Sequence, residues 1–210
     1  MKRLILIRHA ESEHHIKGLV GGWCDFELTD LGHRQAQALA ARLHNELSTQ
    51  TCHLVCSDLK RSVQTATHIG QALGVTPVPM VELREVSSGV VEGMDEKEAR
   101  KHALPPTEPS GDWVAFPGAE SWRQCSERVI PCLEQLYESE HNLLCVVSHW
   151  IPIHLAICWW LGLDLEHRPS VTFKAAPAGL SILHDEPWGG HTVACTNDIA
   201  HLYATGLQTQ

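Results

Sequence analysis

Apolar residues follow two rhythms along this chain. Short unbroken runs rich in β-branched residues cover Lys2 to Arg8, His53 to Ser57 and Asn142 to Ser148, the signature of buried strands. Val75 to Val81 carries Pro77 and Pro79, so it is at best a short strand. Ala178 to His184 and Thr192 to Cys195 read as closing strands. Between these runs the period changes. Leu31, Ala36, Leu39, Leu43 and Leu47 recur at helical spacing behind Thr29, an N-cap, with Asp30 in the first turn. Leu59, Val63, Ala66, Ile69 and Leu73 form the next helix, stopped by Gly74. Ser121 and Gln124 make a capping box for a helix through Val129, Leu133 and Leu136, with a kink expected at Pro131. A further helix is predicted from Ile151 to Leu163.

Strands alternating with helices imply a three-layer α/β/α sandwich on a mostly parallel sheet. The stretch 86–118 breaks the pattern. It is polar, rich in Gly and Pro, with one short helix expected from Glu96 to His102. We read it as an insertion over the active site of a single domain spanning 1–210.

Composition narrows the function. The 210 residues are 43% hydrophobic and 20% charged, which excludes disordered, collagen-like and coiled-coil chains. A net charge of −9 repels phosphate backbones, so no nucleic-acid partner is expected. None of the 8 cysteines forms Cys-x-x-Cys, and several lie in apolar runs, the pattern of buried free thiols in a reducing compartment. The N-terminal apolar stretch is too short for a signal peptide. Leu143 to Leu163 lacks Asp, Glu, Lys and Arg, yet it holds Ser148, His149, Pro152 and His154 and changes pattern midway. A buried strand followed by a buried helix fits it better than a membrane span. The expected location is cytoplasmic, with no membrane partner. Trp159-Trp160 reads as core, and a homodimer stays open.

In parallel sheets ligands bind beyond the carboxyl ends of the strands. Those ends carry Arg8-His9, then Ser57 with Lys60-Arg61, then Leu83-Arg84-Glu85, then Ser148-His149. Arg8, Arg61, His9, His149 and Glu85 thus meet at one sheet edge. Guanidinium matches phosphate oxygens in pairs. A neutral imidazole can attack phosphorus. A desolvated glutamic acid can protonate a leaving oxygen. The set suits phosphoryl transfer without a metal. A metal hydrolase lacks His-Glu-x-x-His here, and the histidines show no evident carboxylate partner. A cysteine phosphatase loop would need five residues between Cys56 and Arg61, where four stand. A non-catalytic binding protein remains the other class.

The motifs resemble the histidine phosphatase superfamily, the phosphoglycerate-mutase-like proteins. Arg8-His9-Ala10-Glu11-Ser12 resembles its Arg-His-Gly-Glu signature. Gly22-Trp23 with Asp25, Leu28-Thr29 with Gly32, and Cys56 to Arg61 running on to Gln64-Thr65-Ala66 resemble the segments after it. Leu83-Arg84-Glu85, Pro117 to Ser121, Val147-Ser148-His149 and Asn197-Asp198 with His201-Leu202 follow in the family's order. The resemblance implies that His9 is the nucleophile and that Arg8, Arg61 and His149 hold the phosphoryl oxygens. It makes Glu85 the proton donor and then the activator of water. It implies no cofactor and no metal, with a small phosphorylated substrate as the partner. Ala10 and Ala119 replace usual glycines, and Trp150, taken as a substrate-binding residue, follows His149 where glycine is common. His15 stands where many members have a phosphate-contacting Asn and is kept as a weaker ligand, and His14 stands where many have Trp. Ser87 and Ser88 replace larger residues. Family mutases carry a longer insertion over the site, so the resemblance, with the short span from Glu85 to Pro117, implies a phosphatase rather than a mutase. Ser148-His149-Trp150-Ile151-Pro152 resembles members acting on a phosphoserine-type or similar small ester.

Overall fold

The computed structural model describes residues 2–164 and 171–208. One sheet of six strands organises it. These are β1 (Arg3–Arg8), β2 (His53–Ser57), β3 (Val78–Met80), β4 (Leu143–Ser148), β5 (Leu180–Asp185) and β6 (His191–Asp198), in the order β3-β2-β4-β1-β5-β6. The first four in that order run parallel, while β5 and β6 pair antiparallel at one margin. The mostly parallel sandwich read from the sequence is therefore correct.

Side chains alternate across each strand, and this divides the core into two. Ile5, Ile7, Leu54, Cys56, Cys145 and Val147 pack with α2 (Asp30–Leu47), α3 (Lys60–Leu73) and α7 (Ala200–Thr205). Leu4, Leu6, Val55, Leu144 and Val146 face α5 (Trp122–Glu138) and α6 (Trp150–Trp160) on the other side. Burial on both faces explains why β1 and β4 read as continuous apolar runs.

The caps work as expected. Thr29 Oγ1 accepts from Gly32 N–H at 2.9 Å, Ser121 and Gln124 close a capping box, and Gly74 adopts a left-handed φ of 70°. α5 runs through Pro131 as one element. Several bounds differ. α6 starts at Trp150, because His149 is extended and serves as its N-cap, and ends at Trp160 rather than Leu163. The last strand runs to Asp198, well past Cys195. The helix near Glu96 is α4 (Glu96–Ala99), which continues as a 3-10 turn over Arg100–His102. Two short helices escaped the pattern: α1 (Glu13–Lys17), which buries none of its residues, and α7.

All eight cysteines are free, and six of them are buried. Trp160 is buried, with its indole donating to Thr192 O, while Trp159 is half-buried and donates to Glu134. Among the described residues no helix is long and apolar enough to cross a membrane.

Gly32 fixes how α2 docks beneath the loop after β1. A Cβ there would fall inside the van der Waals radius of the Glu11 carbonyl oxygen, which already accepts from Thr29 N–H at 3.1 Å. Backbone cannot yield as a side-chain tip can, so Gly32→Ala should cost about 1–3 kcal/mol. Urea unfolding of the two proteins checks this; equal midpoints would mean that α2 shifts freely.

Candidate active site

Strand register builds the centre of the site. β1 and β4 are parallel neighbours with Arg8 opposite Ser148, so the next residue of each, His9 and His149, leaves the sheet at the same level. Their ring centroids lie 5.0 Å apart. β2 ends at Ser57, and the first turn of α3 brings Arg61 beneath the same point. Glu85 follows a 3-10 turn at Val81–Leu83, tied to β4 by Ser148 Oγ donating to Leu83 O at 2.7 Å.

His9 is buried, and its Nδ1 donates to the Ala10 carbonyl at 2.7 Å. A carbonyl only accepts, so the proton sits on Nδ1 and the Nε2 lone pair stays free. Burial first, then the charge of Arg61, and after it His149, Arg8 and His15, hold His9 well below its ordinary pKa. His9 is neutral at physiological pH.

Arg61 is fully buried, donating to Cys24 O at 2.7 Å and Gly22 O at 2.8 Å. Desolvation pulls its pKa down to about 10, still charged at neutral pH. Arg8 donates to Ala175 O at 2.7 Å, and its other terminal nitrogen stands 2.9 Å from His15 Nε2. His15 Nδ1 accepts from Ser12 N–H at 3.1 Å, which puts the proton on Nε2. Two donors thus face each other. His149 Nε2 lies 2.9 Å from Ser57 Oγ. Arg8 Nε, Arg61 Nε and His149 Nδ1 are buried without a hydrogen-bond partner. A cluster of unsatisfied and opposed donors is what an anion would relieve.

Glu85 sits at the N-terminus of α6. Its carboxyl accepts from Val86 N at 3.0 Å and from Ile151 N and Trp150 N at 3.2 Å each. Desolvation outweighs these bonds and the nearby arginines, so its pKa is raised. A frame of side chains holds its backbone. Trp23 Nε1 and Arg128 both donate to Glu85 O at 2.7 Å, and Arg128 also reaches Glu82 O, Arg84 O and the Glu120 carboxylate. The Arg84 and Arg128 guanidiniums lie 5.1 and 5.8 Å from the centre of the Trp23 indole, and Arg84 pairs with Asp58. Sequence reasoning gave Trp23 and Glu120 no role beyond their motifs and missed Arg128.

The structure therefore brings His9, Arg8, Arg61, His149, His15 and Glu85 around one space. Trp150 stands at its mouth, with its indole donating to Phe173 O at 3.0 Å. A cleft of about 590 Å³ opens from Arg8, His15 and Glu85, and a second cavity of about 240 Å³ adjoins at Arg8 and Trp150.

His9, His14 and His15 bring ring nitrogens within 4.8 Å of one another, close enough to hold a metal ion. The surroundings oppose it. His15 Nδ1 is engaged by Ser12, its Nε2 faces Arg8, and the arginines that depress these histidines would repel a cation. The donor set fits an anion.

A family model described as the histidine phosphatase superfamily, branch 1, matches residues 4–198. A curated Hydrogenobacter thermophilus protein, provisionally named phosphoserine phosphatase 2, is 32% identical over 196 residues, covering 89% of this chain and 91% of its own length. A Proteus mirabilis protein, provisionally named a phosphoglycerate mutase, is 29% identical over 211 residues, covering 96% and 95%. A solved mycobacterial glucosyl-3-phosphoglycerate phosphatase aligns with a TM-score of 0.79 at 22% identity, over 94% of this chain and 99% of that one, a likeness of fold.

The neutral histidines set an acid limit on stability. His9 and His149 lie well below the ordinary 6.5, and burial with the arginine charges holds His14 at about 3. Burial and His14 hold His15 at about 2. Below about pH 6.5 the unfolded chain takes up protons that the folded site refuses, so stability falls as pH falls. The raised Glu85 works in the opposite sense, as one group against four. His14→Gln removes one of the four and should lose about 1 kcal/mol less than wild type between pH 7.5 and 5.5. Urea midpoints at the two pH values measure this, and identical losses would reject it.

Proposed function

The chain belongs to the histidine phosphatase superfamily and is a phosphatase, and from that premise we propose that it hydrolyses small phosphorylated metabolites through a phosphohistidine on His9, without a metal. The observation that carries this reading is the neutral His9, its Nε2 free, among donors that lack partners. His9 Nε2 attacks phosphorus while the ester P–O bond breaks. Arg8, Arg61, His149 and, more weakly, His15 hold the three non-bridging oxygens. Glu85, whose pKa desolvation raises toward the range of a general acid, gives its proton to the leaving oxygen. The resulting carboxylate takes a proton from water as that water attacks phosphorus and the P–N bond breaks. Phosphate leaves, and His9 and Glu85 return to their starting states. His9 Nδ1–H keeps its bond to Ala10 O throughout, which holds the ring in line.

Residues 86–118 form, in this reading, an insertion over the site of a single domain 1–210, and Trp150 borders the substrate. A phosphoserine-type or similar small ester is the proposed substrate, in keeping with the name of the Hydrogenobacter relative. The free cysteines suit a reducing compartment such as the cytoplasm. The second reading is a mutase, favoured by the Proteus relative. Isomerisation of 3-phosphoglycerate with a bisphosphorylated primer, faster than phosphate release from any monoester, would establish it.

His9→Ala should abolish turnover and the acid-labile phosphoenzyme. Glu85→Gln keeps shape but has no acidic proton to give. With an alkyl phosphate its kcat should fall about 10²–10⁴-fold. With an aryl phosphate carrying a good leaving group, phosphoenzyme formation should fall much less. Hydrolysis would then lag and a burst appear in rapid quench. Equal losses in phosphoenzyme formation for both esters would mean that Glu85 only positions substrate.

A further inference from the structure

The cleft beyond the phosphate pole has an order of its own. Its floor is the strand-end cluster with Arg8 and Glu85. Its walls are Leu19, Val20, Val86, Phe116 and Trp122, all half-buried. Its rim carries Glu96 and Arg100, both exposed and one helical turn apart along α4 and the 3-10 turn that continues it. Their neighbours Glu98 and Lys101 pair with each other at 2.7 Å. No ion pair among the described residues joins Glu96 to Arg100 or takes either elsewhere. The rim therefore offers one free carboxylate and one free guanidinium above apolar walls.

We propose that Glu96 and Arg100 read the ammonium and carboxylate of a phosphorylated amino acid whose apolar side chain lies along the cleft walls. This rests on the phosphatase reading and refines its substrate class. Three features of the cleft each demand a part of the ligand. The donors at the floor take the phosphoryl group. The half-buried Val86, Phe116 and Trp122 reward apolar surface that leaves water. The two opposite charges at the rim match an amphoteric end, where a simple anion would meet Glu96 and a simple cation would meet Arg100. Phosphoserine satisfies the first and third demands but has a single methylene for the second, and a cleft of about 590 Å³ leaves it room to spare. An aromatic ring between phosphate and amino acid fills the same path. The sequence hides this arrangement, because Glu96 and Arg100 sit in a polar stretch where charges usually only face solvent.

The test uses O-phosphotyrosine and phenyl phosphate, which share a phenolic leaving oxygen and differ in the amphoteric end. The KM of phosphotyrosine should be about three- to tenfold lower at similar kcat, the scale of about 1 kcal/mol for charge contacts at an exposed rim. Arg100→Gln should raise the ratio of the phosphotyrosine to the phenyl phosphate KM, and should not raise it when phosphotyrosine amide, which lacks the carboxylate, takes the place of phosphotyrosine. Glu96→Gln should raise it too, and should not when N-acetyl-phosphotyrosine replaces phosphotyrosine. Equal KM values for the two esters in the wild type, or ratios unmoved by both substitutions, would overturn the proposal while leaving the phosphatase reading intact. Failure to hydrolyse phenyl phosphate at all would instead strike the phosphatase reading itself.

Discussion

Two guanidinium groups hold their charge beneath this cleft against backbone carbonyls. Arg61 is fully enclosed and Arg8 partly so, and their hydrogen bonds go to Cys24, Gly22 and Ala175 oxygens. Among the described residues neither is in a salt bridge. A carbonyl satisfies a donor without cancelling its charge, so the positive field survives into the cleft. The rest of the site follows from that field. Added to burial, which is the larger cause, it lowers the pKa of His9, His14, His15 and His149. It also opposes a metal ion where three imidazoles could otherwise gather one, and it leaves donors waiting for an anion. Glu85 is the counterweight. Its desolvation prevails over the attraction of both arginines, so its pKa is raised even beside two cations.

Much of this was legible in the sequence because the sheet is parallel. A parallel strand buried on both faces announces itself as an apolar run, and its carboxyl end is where polar residues resume. Arg8-His9, Ser57 to Arg61 and Ser148-His149 are each such a resumption, and the structure places all of them at one edge. Caps were legible for a related reason: Thr29, Gly74 and Ser121 act within a few residues of themselves.

What stayed hidden acts across the chain or lacks a period. α1 buries none of its residues and α7 is barely a turn and a half, so neither leaves a helical stripe. The antiparallel pairing of β5 and β6 depends on how the chain returns to β1, which no local pattern records. The frame around Glu85 is the clearest case. Arg128 reaches three carbonyls more than 40 residues away, and a carbonyl carries no sequence identity. The opposed donors of Arg8 and His15 are likewise a fact of geometry, since a histidine in that position could equally have accepted from the arginine.

Arg8 belongs to the first strand, yet the carbonyl that fixes its guanidinium is 167 residues further along, at Ala175. That bond spans almost the full length of the protein, and the loop around it closes only when β5 lies beside β1. Holding a contact of such long sequence separation costs the entropy of closing the loop, so it depends on the sheet that closes it. The anion cradle is therefore complete only where the two ends of the chain have been brought together. A chain in which that closure is lost still carries His9, but without the organised charge of Arg8 beside it. The site thus depends on the completed sheet, which makes activity a report of global folding.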